Sequence, residues 1–200
     1  MVELFSKCRL GVLISGRGSN LKAVLEAIQR GLLDAEVVSV ISNKEDAGGL
    51  AIARDFRVDA VYLDRGACES NHAFEKQILA LFEEKKVDLV VLAGYMRIVG
   101  QVLLGRYENR MINIHPSLLP SFKGLHAQRQ ALEYGVKIAG CSAHIVTEDL
   151  DSGPILLQEA VPVYDDDTEA KLSQRILEKE HEILPQAIQG WIEKNNKETV

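Results

Sequence analysis

A chain of 200 residues is long enough to bury one sizeable core, or at most two small ones. Its 46% hydrophobic and 26% charged content is that of an ordinary globular protein, and 23 basic against 29 acidic residues give a net charge of -6. That sign disfavours a nucleic-acid partner, which needs a basic surface to neutralise phosphates. Residues 1–9 are too short and polar for a secretory signal, and no apolar run reaches membrane-spanning length.

The first strand is expected over residues 9–15. The turn Ser-Gly-Arg-Gly-Ser-Asn (15–20) follows, then a helix whose Leu21, Val24, Leu25 and Ile28 recur at helical spacing. Glycines let a backbone approach a phosphate closely, and a helix N-terminus offers N–H groups and a favourable dipole. Ser19 and Asn20 add side-chain donors and helix-capping ability. Gly18, Ser19 and Asn20 are therefore candidate phosphate ligands, with an ordinary strand-to-helix turn as the plain alternative. A dinucleotide is disfavoured. Leu21 stands where the pattern Gly-x-Gly-x-x-Gly needs its third glycine, and the second strand (37–42) runs into Asn43 and Lys44 without the acidic residue that would hold a ribose.

Further strands are expected over 59–63 and 87–93, separated by a helix marked by Phe74, Ile78, Leu81 and Phe82. Val-Asp-Leu-Val-Val-Leu-Ala (87–93) is apolar on both faces, as a central parallel strand covered by helices should be. Repeated strand–helix alternation implies right-handed crossovers and a doubly wound, mostly parallel α/β sheet.

Met-Ile-Asn-Ile-His (111–115) is the next strand. Asn113 and His115 share one face at its carboxyl end, where ligands of open α/β sheets bind. A Pro-rich loop (115–120) and a helix (127–134) lead to strands over 138–146 and 155–163, read as an antiparallel pair. Asp151 lies in the link between them. Turn aspartates ordinarily stabilise turns; a second reading folds the carboxylate back on His115, raising the imidazole pKa and holding the ring as a proton donor.

A helix over about 168–194, kinked at Pro185, closes the chain. On its wheel Leu172, Ile176, Leu177, Ile183, Leu184 and Trp191 form an apolar arc with Glu180 near the middle. A carboxylate there belongs either to a buried ion pair or to a ligand contact. Cys8, Cys68 and Cys141 form no CxxC pair, which argues against a disulfide framework and for a reducing, cytoplasmic setting. His72, His115, His126 and His144 show no ligand-like spacing, so no metal site is expected. No linker is long enough to split the chain, so 1–200 reads as a single domain.

Six segments carry a resemblance over essentially the whole length. They are Ile-Ser-Gly-Arg-Gly-Ser-Asn-Leu (14–21), Ala-Gly-Tyr-Met-Arg-Ile (93–98), Asn-Ile-His-Pro-Ser-Leu-Leu-Pro (113–120), Gly-Leu-His-Ala-Gln-Arg-Gln-Ala-Leu (124–132), Asp-Leu-Asp-Ser-Gly-Pro-Ile (149–155) and Glu-His-x-x-x-Pro (180–185). The chain resembles the phosphoribosylglycinamide formyltransferase (GAR transformylase) family of folate-dependent formyltransferases, with their Rossmann-like fold.

The resemblance implies transfer of the formyl group of 10-formyltetrahydrofolate to the amine of glycinamide ribonucleotide through a tetrahedral intermediate, in purine biosynthesis. It implies Asn113, His115 and Asp151 as the catalytic trio: Asn113 donating to the formyl oxygen, His115 as proton donor, Asp151 raising its pKa and orienting it. It implies phosphate on Gly18, Ser19 and Asn20, and Glu180 against the ribose or amine side of the substrate. The pterin would lie among Met96, Arg97, Ile98, Val99 and the turn Thr147, Glu148, Asp149, Leu150 and Asp151. The N-terminal half would then bind phosphate, and the C-terminal half would bind folate and do the chemistry. Small-molecule partners, no nucleic acid, no membrane and a monomer or weak homodimer are expected. One position departs: Asn71 stands where the family places a basic residue against the folate's glutamate tail, and Arg65 or Lys76 are candidate substitutes.

A formyltetrahydrofolate hydrolase would share the Asn/His/Asp chemistry, but an additional N-terminal regulatory domain is expected of one. A methionyl-tRNA formyltransferase would need a further C-terminal domain and a basic RNA-binding surface. A non-catalytic nucleotide-binding module would need only the turn at 16–20, leaving the polar trio redundant.

Overall fold

The structure is a computed structural model that describes residues 7–197. The chain divides into two compact units, Met1–Met96 and Arg97–Val200.

In the N-terminal unit strands and helices alternate as the sequence pattern requires. They are β1 (Cys8–Ile14), α1 (Ser19–Gln29), β2 (Ala35–Ser42), α2 (Gly48–Asp55), β3 (Ala60–Tyr62), α3 (Asn71–Glu84) and β4 (Leu89–Leu92). The four strands are parallel and lie in the order β3-β2-β1-β4. The order reverses between β1 and β4, so the sheet is doubly wound, with its switch point at the carboxyl ends of those two strands. All four residues of β4 are buried, as its unbroken apolar run demands. Helix α1 packs on α2. Helix α3 is capped by Ser70, whose side chain accepts from the Ala73 N–H at 3.0 Å. Its Phe74, Ile78 and Phe82 are 0–1% exposed. Phe82 lies over β1 at Gly11, where an added Cβ would stand only 2.7 Å from the ring.

The C-terminal unit contains α4 (Gln101–Arg106), β5 (Met111–His115), α5 (Ala127–Tyr134), β6 (Ile138–Ile145), β7 (Ile155–Pro162) and α6 (Glu169–Lys197). β6 pairs antiparallel with β7, as expected, and also antiparallel with β5. The antiparallel part is therefore three strands rather than a pair. Helix α6 packs on β6 and β7. Leu172, Ile176, Ile183 and Leu184 of its apolar arc are no more than 3% exposed. The Trp191 indole N–H donates to the Asn109 carbonyl at 2.9 Å, and the helix continues through Pro185 as one element.

Helices α2 and α4 are absent from the sequence expectations for local reasons. α2 opens on Gly48-Gly49, the poorest start that helix propensity allows short of proline, and α4 has only 6 residues. Both form because the unit around them buries their apolar residues, Leu50 and Ala53 in one and Leu103 in the other.

Because Phe82 fills the space above a residue without a side chain, its truncation leaves a void that nothing adjacent can close. Phe82→Ala is expected to lower unfolding stability by about 3–5 kcal/mol in denaturant titrations. A loss below about 1 kcal/mol would mean that α3 does not depend on this contact.

Candidate functional site

The Gly-rich turn stands at the switch point of the N-terminal unit. Ser15, just past β1, ties three strand ends together. Its hydroxyl donates to Asn43 Oδ1 beyond β2 at 2.6 Å and accepts the Met96 N–H beyond β4 at 2.9 Å, while its own N–H donates to Gly94 O at 3.1 Å. Helix α1 then begins at Ser19. Its cap is Gly18, in the left-handed region at φ 81, with no side-chain cap hydrogen bond. The capping role expected of Ser19 and Asn20 is thus corrected: glycine's backbone freedom makes the turn, and both side chains lie within the helix. The first helical backbone bond runs from Lys22 N–H to Gly18 O at 2.9 Å, so the N–H groups of residues 19–21 precede the helical ladder.

The turn leans on a residue the sequence reading passed over. A Cβ on Gly18 would lie 2.4 Å from Gly49 Cα, and the Gly49 N–H donates to Gly16 O at 3.1 Å. The paired glycines at the start of α2 were the available signal. Leu21, which breaks the dinucleotide pattern, is fully buried.

The second cluster belongs wholly to the C-terminal unit. β5 places Asn113 and His115 on one face, and β6 sets His144 opposite Asn113 and Ser142 opposite His115. Asp151 folds back from the β6–β7 link. Its Oδ2 lies 3.4 Å from His115 Nδ1 and accepts the Gly124 N–H at 2.9 Å, while its Oδ1 lies 3.6 Å from His144 Nε2. Asn113 Nδ2 lies 3.1 Å from His144 Nε2, and His115 Nε2 lies 3.0 Å from the Phe122 carbonyl. The structure therefore brings the half-buried Asn113 together with the buried His115 and Asp151, joined by His144, for which the strand pattern alone suggests no role. The missed signal was the alternation of Ser142 and His144 on one face of β6.

The loop facing this group is shaped by backbone usually reserved for glycine. Phe122, His126 and Asp151 have φ of 54, 58 and 46. The 122–125 segment is strapped to the 150–152 turn by Lys123 Nζ donating to Ser152 Oγ at 2.6 Å, in addition to the Gly124–Asp151 bond.

The other candidates are placed as follows. Arg97 is partly exposed, Val99 is 8% exposed, and Ile98 is 72% exposed. Thr147, Glu148, Asp149 and Leu150 form an exposed turn, held toward α4 by Gln101 Nε2 donating to Glu148 Oε1 at 2.8 Å. Met96, in the N-terminal unit, has an exposed side chain above its bond to Ser15. Glu180 is 7% exposed on α6, and its charge helps push the Cys141 thiol up to about 12, behind burial as the main cause. In the N-terminal unit Arg65 bonds the Cys68 carbonyl at 3.0 Å and lies 3.4 Å from Asn71 Oδ1, at the start of α3.

Electrostatics correct one expectation. Asp151 does favour the charged form of His115, as does the Phe122 carbonyl, but burial outweighs both, and with the neighbouring His144 it holds the His115 pKa below 6.5. The carboxylate lessens the depression without reversing it. Burial alone would raise the Asp151 carboxyl. The adjoining His144 ring, the Gly124 N–H and the His115 ring outweigh burial and keep it below 3.8.

Both shifts act on stability with the same sign. A histidine depressed in the folded state takes up a proton on unfolding, so its contribution is complete above 6.5 and is lost as pH falls toward the folded value. Asp151 adds a further loss below 3.8. Thermal melts of His115→Asn should show a shallower decline than wild type as pH falls below about 6.5. Equal slopes in the two proteins would contradict the assignment.

Residues 8–188 match the family described as formyl transferase. The chain is 43% identical over 180 residues to the phosphoribosylglycinamide formyltransferase of Escherichia coli (strain K12), covering 90% of this chain and 84% of that protein. It is 44% identical over 183 residues to the trifunctional purine biosynthetic protein adenosine-3 of Homo sapiens, of whose length it spans 18%. The crystal structure of glycinamide ribonucleotide transformylase 1 from Symbiobacterium toebii superposes with a TM-score of 0.90 at 51% identity, over 92% of this chain and 86% of that one. With nearly its whole length matched in sequence and in backbone, the chain belongs to the formyl transferase family.

Proposed function

We propose that the chain transfers the formyl group of 10-formyltetrahydrofolate to the amine of glycinamide ribonucleotide, acting as one formyltransferase domain in the cytoplasm. The observation that carries the reading is the convergence of Asn113, half-buried, on the buried His115 and Asp151, an amide beside a histidine–carboxylate pair. Relatives named for this reaction support the choice of substrates.

In this reading each unit contributes its own chemistry. In the N-terminal unit the backbone of Gly18, Ser19 and Asn20 takes the substrate phosphate, where helix N–H groups and dipole favour an anion. In the C-terminal unit the residues 97–99 and the 147–151 turn hold the pterin, with the exposed Ile98 and Leu150 as its apolar contacts. The amine forms its bond to the formyl carbon, and charge develops on the formyl oxygen, where an Asn113 N–H is the preorganised donor. His115 carries the proton from the attacking nitrogen to the departing folate nitrogen. A ring held below 6.5 rests mainly in its neutral form near pH 7, the form that can accept the proton of the attacking nitrogen. Asp151 fixes the ring's orientation, and Glu180 contacts the ribose or amine side of the substrate.

The decisive experiment incubates the protein with 10-formyltetrahydrofolate, with and without glycinamide ribonucleotide. A transferase consumes the folate only when the ribonucleotide is present; consumption without it would mark a hydrolase. His115→Ala and Asp151→Asn should each lower turnover about 10²–10⁴-fold with unchanged far-ultraviolet circular dichroism. Turnover within about tenfold of wild type for either variant would refute the trio.

A further inference from the structure

We propose that His144 is the positioning residue for Asn113, aiming the asparagine amide through a proton fixed on the far side of the imidazole ring. The inference rests on the formyl-transfer reading of this cluster and adds to it the group that orients its oxyanion donor.

The assignment follows from which atoms can donate. His144 is 2% exposed, so its ring nitrogens have protein partners rather than bulk water. Nδ1 lies 2.9 Å from the Ile145 carbonyl, and a carbonyl can only accept. Nδ1 therefore carries a proton. In a ring with one proton, Nε2 is then an acceptor, and the group within hydrogen-bond reach of it is Asn113 Nδ2 at 3.1 Å. Asp151 Oδ1 lies farther from Nε2, at 3.6 Å, and becomes its partner only when the ring carries a second proton. The amide thus has its nitrogen toward His144, which settles the O/N orientation that the asparagine side chain alone leaves ambiguous. One amide hydrogen is used on the imidazole, and the second remains to meet an oxygen on substrate.

Backbone geometry makes the arrangement rigid. Asn113 and His144 are direct cross-strand partners in the β5–β6 ladder, so their side chains stand on the same face at close range. The β6–β7 register shifts between Ala143 and His144, an irregularity of the kind that re-aims a side chain at a site. Ser142, two residues earlier on that face, is fully buried and binds the 117–119 loop through two hydrogen bonds, which pins β6 from the other side.

Nitrogen-15 NMR of the imidazole in the wild-type protein at neutral pH tests the proton position without any variant. A neutral ring protonated on Nδ1 is expected; an imidazolium, or a proton on Nε2, would overturn the proposal. Kinetics test the consequence. His144→Gln keeps an acceptor for the amide and should retain turnover within about tenfold, whereas His144→Leu should lose about 10²–10³-fold in kcat with KM for both substrates within about threefold. Equal losses in Gln and Leu variants would overturn the positioning role. Added to Asn113→Ala, the Leu substitution should cost little more, because the residue it acts through is gone; full additivity would also refute it. Asn113→Ala with wild-type turnover would sink the proposed function itself, whereas a wrong proton position sinks this inference alone.

Discussion

The antiparallel pairing of β5 with β6 is the constraint on which the rest of the C-terminal unit depends. Its register puts His144 opposite Asn113 and Ser142 opposite His115, so four polar side chains share one face. Ser142 then organises the Pro-rich loop, its hydroxyl accepting the Leu119 N–H and donating to Ser117 O while Gln158 of β7 bonds the same hydroxyl at 2.8 Å. That loop delivers the Phe122 carbonyl to His115 and the Gly124 N–H to Asp151. A one-residue slip of the ladder would turn every one of these side chains to the opposite face.

The two units build their clusters from different materials. The N-terminal turn is built almost entirely from backbone, with Gly18, at the start of α1, pressed against Gly49. The C-terminal cluster is built from side chains that bond one another and two backbone carbonyls, those of Phe122 and Ile145. The two structures therefore differ in tolerance, one sensitive to any added Cβ and the other to any change of hydrogen-bonding type.

Much of this was legible before any coordinates. Period-two spacing put Asn113 and His115 on one face, the wheel of the last helix marked Glu180 as a buried carboxylate, and α5 falls on the expected residues 127–134. What escaped was long-range. Gly49 matters because of Gly18, some thirty positions earlier, and a glycine pair carries no periodicity to flag it. His144 matters because of its cross-strand partner, and pairing between strands separated by a loop and a helix is not written in either strand. The direction of the His115 pKa escaped for a third reason: a carboxylate neighbour was visible in the motif, but the depth of burial that outweighs it was not.

Phe122 deserves a last consequence of its backbone. A bulky side chain at φ 54 occupies a region that costs of order 1–3 kcal/mol, and glycine or asparagine would sit there with less strain. Yet this very conformation turns the Phe122 carbonyl onto His115 Nε2. A chain selected for folding alone would relax the position; this one keeps it and, with it, a lower ceiling on stability. Repair of the loop for heat tolerance therefore trades directly against the imidazole it holds, so robustness is better sought in the parallel sheet of the N-terminal unit, where Ser39 is the one buried hydroxyl in β2 whose oxygen finds no hydrogen-bond partner.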